Sequence, residues 1–239
     1  MINLILIAGI AIFAGFIKGS SGFGSSLVAL PLLSLFYPIE DVVIIMITLN
    51  VVLNFLMLFE YKTISFNRDK RILVIITFGV ICTFLGFQLA DYLDEKVIKY
   101  IAAFLILLAI LNKTSRFSFT IKDNFVFQAI TGSLSGLFNG IASIDGPPVV
   151  FYLTSIKADK AQFKHTLVSY FFVLALLSVS MLVISGNYPI NVFYKALFVG
   201  VFLVIGLMIG MLVSRRINDK SFSKFVTILL VFLGLSMLI

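Results

Sequence analysis

Charge is scarce in this chain: Asp, Glu, Lys and Arg together make up 12% of its 239 residues, while 61% are hydrophobic. A soluble domain runs at about 25% charged and roughly 45–50% apolar, so a soluble globular protein is excluded. Segments of about ten residues that alternate apolar and polar are also lacking. Ile101 to Leu111 reads IAAFLILLAIL, apolar on every side, which excludes an outer-membrane barrel. The one cysteine, Cys82, lies inside an apolar run; no intramolecular disulfide, CxxC pair or iron–sulfur framework can form, and redox chemistry has no support. The one histidine, His165, stands beside Lys164 at the entry of a span with no second ligand at metal spacing, and is expected to be an interfacial residue. No GK[ST] ending follows a glycine-rich stretch, so there is no nucleotide P-loop and no sign of ATP as the energy source. No cofactor is called for. Because Met1-Ile2-Asn3 carries no basic side chain, the first apolar stretch is expected to be a retained helix rather than a cleaved signal.

What is present is a series of apolar runs long enough to cross a bilayer, which takes about 20 residues as a helix. Polar breaks divide the chain at roughly 2–18, 24–37, 41–59, 71–90, 96–111, 124–138, 146–154, 165–185, 191–213 and 221–239. The expected fold class is an all-α polytopic membrane protein. The formal charge of +7 then reports orientation by the positive-inside rule, not a nucleic-acid partner. Two breaks, Gly19 to Ser26 and Asn139 to Gly146, hold almost no charge and are rich in Gly and Ser. They read as helix breaks within the membrane.

Sliding the chain by 117 positions places Gly15 on Gly132, Gly19 on Gly136, Ser26 on Ser143 and Pro31 on Pro148, an internal repeat. If each broken element is a hairpin that returns to its starting side, loops 60–71, 112–124, 155–165 and 214–224 all face the cytoplasm. They hold every Lys and Arg except Lys18, Lys96, Lys99 and Lys195, as the positive-inside rule requires. Each half then makes three net crossings and the second is inverted relative to the first. The expected organisation is two inverted repeats, 1–117 (hairpin 2–37, spans 41–59, 71–90 and 96–111) and 118–239 (hairpin 124–154, spans 165–185, 191–213 and 221–239), with both termini outside. Interrupted helices at matching places in inverted repeats point to a transport site near the bilayer midplane.

The first break supplies Lys18, Ser20, Ser21, Gly22, Gly24 and Ser25 as candidate substrate ligands. Glycines let backbone N–H groups approach a ligand, and a helix N-terminus presents unpaired N–H groups with partial positive charge, a setting for an anion; the other reading of the small residues is close helix packing. Lys18 either neutralises the anion or snorkels to headgroups. The second break supplies Asn139, Ser143, Gly146 and Pro147. Asp145 reads as a helix cap, as the group that couples transport to a proton or cation, since an ionisable residue at membrane depth is costly, two roles that are compatible, or as a residue at the interface. Asn50 and Asn54, four apart on one helix face, with Gln88 and Gln128, serve as interhelical glue or line a cavity; Asn50 is the strongest candidate for the cavity.

Gly15-Phe16-Ile17-Lys18-Gly19-Ser20-Ser21-Gly22-Phe23-Gly24, with Pro31-Leu32-Leu33, resembles the first signature of the sulfite exporter TauE/SafE family. Gly136 through Gly140, followed by Gly146-Pro147-Pro148-Val149-Val150-Phe151-Tyr152-Leu153, resembles the second. Lys18, Ser25-Ser26 and Asp145 depart from the small or uncharged residues of that pattern. The resemblance implies a transporter of sulfite, sulfonates, sulfoacetate and related organic anions in the bacterial inner membrane. The expected partners are thus a small anion, the lipid bilayer and a coupling proton or cation. A secondary transporter working by alternating access is the leading reading and an anion channel through the two hairpins the alternative. An intramembrane hydrolase using a break serine lacks a base, because His165 lies outside both breaks.

Overall fold

The computed structural model describes residues 2–61, 70–89, 92, 121–186, 188–216, 218, 221, 224 and 228. The expected spans 96–111 and 221–239 fall outside the described residues or nearly so. Among the described residues are eight helices and no strand: α1 Ile2–Ser21, α2 Ser25–Leu33, α3 Ile39–Tyr61, α4 Lys70–Leu89, α5 Phe125–Ala142, α6 Gly146–Ser155, α7 Lys160–Ile184 and α8 Ile190–Arg215. In hydrocarbon a helix pairs its own backbone groups, which is why the apolar runs take this form. Five are long and apolar enough to cross a membrane, namely α1, α3, α4, α7 and α8.

Both breaks are narrower than expected. Instead of stopping at Gly19, α1 continues through Ser21, because the Ser20 and Ser21 hydroxyls donate back to the Phe16 and Ile17 carbonyls at 2.7 Å, a pattern compatible with helix. The first break is thereby reduced to residues 22–24, where Gly22 (φ 95°) and Gly24 (φ 91°) take left-handed conformations and Gly22 N–H closes the helix on the Lys18 carbonyl at 2.7 Å. Likewise α5 runs through Gly140 to Ala142, leaving residues 143–145 as the second break. The loop expected over 155–165 is also shorter, since Asp159 caps α7 by accepting from the Gln162 N–H at 2.8 Å and Lys164 and His165 are helical.

Two seams hold the helices together. A Cβ placed on Gly15, Gly19, Gly206 or Gly210 would lie 2.0–2.3 Å from a carbonyl oxygen across the α1/α8 contact, and one on Gly86, Gly132, Gly136 or Gly140 would lie 2.1–2.4 Å from one across α4/α5. The repeated glycines are therefore packing glycines, which lets two backbones approach without a side chain between them. In both seams the partners run the same way, Gly15 facing Leu203 and Gly19 facing Leu207, Gly132 facing Ile75 and Gly136 facing Gly79. Gly206→Ala is expected to force α1 and α8 apart, at a cost of about 1–3 kcal/mol or more, read as a lower melting temperature of the purified protein.

Helix α3 packs on α7 between the seams. Polar contacts gather the remaining ends. The start of α4 meets the segment before α5 through Arg71–Asp123 (2.6 Å), the start of α7 meets the end of α8 through Lys160 and the Ser214 carbonyl (2.7 Å), and Arg215 pairs with Glu60 at the end of α3. Asp123 also accepts from Tyr152 near the end of α6 and from Gln128 at 2.7 Å. Burial pushes the Asp123 carboxyl upward, but the donors from Tyr152, Gln128 and Arg71 outweigh it and hold the group below the usual carboxylate range. At the other end of α3 and α8, Lys195 pairs with Asp41 at 2.5 Å and lies over the Tyr37 ring. Large exposed apolar side chains such as Ile2, Ile5, Leu85, Ile205 and Leu212 cover the outside of the bundle, as a lipid-facing surface requires.

Candidate functional site

The two breaks meet. A small cavity of about 20 Å³ is lined by Lys18, Phe23, Gly24, Ser25, Ser26 and Leu27 from the first hairpin, Ser143, Ile144, Asp145 and Gly146 from the second, and Asn50 and Phe171 from α3 and α7. Asn50 is midway along α3 and Phe171 is midway along α7. One water needs about 10–15 Å³ of such space, so in this state the cavity is little more than water-sized.

Lys18 is 3% exposed. Its ammonium donates to Asn50 Oδ1 at 3.0 Å and lies 5.6 Å from the centre of the Phe171 ring, within cation–π range. It does not reach for headgroups. Asn50 organises this wall of the cavity: its Oδ1 also accepts from the Ser25 hydroxyl at 3.2 Å, and its Nδ2 donates to Ser26 Oγ at 3.0 Å. Since the Ser26 oxygen is used as an acceptor there, its own proton remains to be donated elsewhere.

Opposite stands Asp145 at the start of α6. As the N-cap residue it makes no side-chain capping bond, which corrects the capping alternative; its main-chain carbonyl instead accepts from the Ser135 hydroxyl at 2.5 Å. The carboxylate and the Lys18 ammonium attract each other across the cavity.

The two half-helices differ as donors. The first three positions of α2 are Ser25, Ser26 and Leu27, with no side chain capping them, so three amide N–H groups lack a helical acceptor. The first three of α6 are Gly146, Pro147 and Pro148, and proline has no N–H. Only Gly146 offers one. Positive potential and donors are therefore concentrated on the α2 side, and the acid stands on the α6 side.

Of the candidates from sequence, Lys18, Gly24, Ser25, Asn50, Ser143, Asp145 and Gly146 come together at this cavity. Ser20 and Ser21 do not: the Ser20 hydroxyl is turned back on α1, and Ser21 Oγ lies between the Ile17 carbonyl and the main chain of Phe23, whose N–H donates to it at 3.3 Å. Gly22 forms the turn, packed 3.7 Å from Leu167 and Lys164 as measured from a Cβ position. Asn139 belongs to another cluster, donating to Ser178 Oγ at 2.8 Å and lying 3.5 Å from Thr83 Oγ1, and Pro147 is buried without lining the space. Sequence reasoning missed Phe23, Leu27, Ile144 and Phe171, apolar residues in apolar surroundings that carry no signal of their own. Ser26 was visible as the residue repeated at Ser143. Among the described residues no group of three or more His, Cys, Asp or Glu side chains is placed to hold a metal.

No curated protein and no solved structure matches the chain. A family model does, that of the sulfite exporter TauE/SafE, over residues 7–237. With both glycine-bearing breaks inside the matched region and five helices long and apolar enough to cross a membrane, this multi-pass membrane protein belongs to the sulfite exporter TauE/SafE family.

Proposed function

We propose that the chain is a secondary transporter that carries small sulfur-containing or organic anions, of the sulfite, sulfonate and sulfoacetate class, across the bacterial inner membrane by alternating access between two inverted repeats, 1–117 and 118–239. The observation that carries this reading is the convergence of both breaks on one central cavity with Lys18 and the open start of α2 on its wall. Supporting the inverted arrangement are the two parallel seams, each joining a hairpin helix of one half to a long helix of the other, and the clustering of the ends next to basic loops. By the positive-inside rule that end is the cytoplasmic one, and both termini lie outside. The small size of the cavity, walled in part by Phe23, Leu27 and Ile144, favours alternating gates over the continuous pore of a channel.

The anion sits between Lys18, the Ser25–Leu27 amides and the Ser26 hydroxyl. Its arrival brings negative charge to the Asp145 carboxylate, and taking up a proton on Asp145 removes the repulsion. Among the described residues the titratable groups facing Asp145 are Lys18 from α1 and the Tyr170 hydroxyl from α7. Anion flux is thus expected to fall as pH rises, by up to about tenfold per pH unit for one coupled proton. In Asp145→Asn the pH dependence disappears while anion exchange persists. The measurement is uptake of labelled sulfite and sulfonates into proteoliposomes with and without a proton gradient. No anion flux in the parent would remove the transport reading, and identical pH profiles in parent and variant would remove the coupling role.

A further inference from the structure

One turn along α3 from Asn50, on the side of the α3 end that pairs with Arg215, lies Asn54. It is 0% exposed, and among the described residues neither its Nδ2 nor its Oδ1 has a hydrogen-bond partner. Native proteins almost always pair buried amides, and leaving one unpaired costs about 1–3 kcal/mol per group. Interhelical glue, the usual use of an asparagine in a membrane helix, does not describe a side chain with no bond to any of the described helices. Its neighbours along the same helix, Leu53, Met57 and Leu58, are buried and apolar, so nothing nearby on α3 relieves the cost. Asn50, of the same residue type, makes three bonds at the cavity wall. The contrast is between an amide that is satisfied in this structure and one that is not.

We infer that Asn54 is the next anion ligand on the route from the central cavity to the cytoplasmic side: its Nδ2 donates to the departing anion, or to water accompanying it, when the inner gate parts. Four residues of helix separate the two asparagines by about 6 Å along the axis, a step an anion crosses while still held by Lys18 behind it. This rests on the transport reading, yet it makes a claim about solvent access that holds for any small anion.

The test uses Asn54→Cys in a Cys82→Ser background, with Leu53→Cys as the packed neighbour, in inside-out vesicles holding the full chain. The probe is a small anionic methanethiosulfonate, itself a sulfonate, compared with its cationic counterpart. Asn54→Cys is expected to react from the cytoplasmic face at least about tenfold faster than Leu53→Cys, the separation expected between a thiol reached by water and one kept in apolar packing. The anionic reagent should be the faster of the two, and sulfite should slow it. No reaction at position 54, or equal reaction at 53 and 54, overturns the inference. Labelling of position 54 by the anionic reagent in a protein whose parent moves no sulfite would leave this inference standing and remove the substrate assignment alone.

Discussion

Asn50→Asp is expected to lower the affinity of the central cavity for a monovalent sulfonate by about a thousandfold. The carboxamide oxygen that accepts from Lys18 at 3.0 Å becomes a carboxylate, the ammonium charge is consumed by a neighbour in its own protein, and the amide donor to Ser26 is lost. A unit charge about 4 Å from the ligand, at an effective dielectric near 20, contributes roughly 4 kcal/mol, which is the thousandfold stated. The variant adds no bulk and pairs its new charge, so it should still elute as a single species and melt near the parent temperature. Calorimetric titration of the detergent-purified protein with methanesulfonate reads the effect. Unchanged affinity would place the anion elsewhere.

Lys18→Gln should weaken a divalent anion far more than a monovalent one, because the lost Coulomb energy scales with ligand charge. If Lys18 supplies about 2 kcal/mol per unit of ligand charge, half the figure above, methanesulfonate loses about thirtyfold and sulfate about a thousandfold. Glutamine retains a donor for Asn50 Oδ1, so the wall built by Ser25 and Ser26 stays in place. Equal losses for the two anions, measured by the same titration, would mean that Lys18 only braces Asn50 and does not act on the ligand directly.

How much of this was legible in the sequence depends on whether a residue differed from its surroundings. Gly24, Ser25, Ser143, Asp145 and Gly146 stand out as polar or small in an apolar chain, and the shift of 117 positions aligns the two breaks from the sequence alone. The same contrast does not separate Ser20 from Ser25, because a hydroxyl bonded to its own helix looks identical, in sequence, to one at the cavity wall. It also does not divide the glycines of the first signature by role: Gly15 and Gly19 serve a backbone seam, whereas Gly24 borders the cavity, and the position of α8 separates them. Phe171 and Phe23 were silent because one phenylalanine among 26 carries no information about which way it points. The difference in donors between α2 and α6 was legible in Pro147-Pro148, but its meaning depended on seeing the two helix starts face each other.

The seam between α1 and α8 has a consequence for how the protein is made. Its halves are almost the whole chain apart, Gly15 against Leu203 and Gly19 against Leu207, whereas the α4/α5 seam joins segments that leave the ribosome much closer together. At about 5–20 residues per second, α1 waits roughly 10–40 s in the bilayer for the α8 surface against which its glycine face packs. During that interval its bare backbone groove is open to any other small-residue helix being inserted nearby. Closing the bundle is therefore a late step in biogenesis, and the arrival of α8 is the event that completes the wall carrying Lys18.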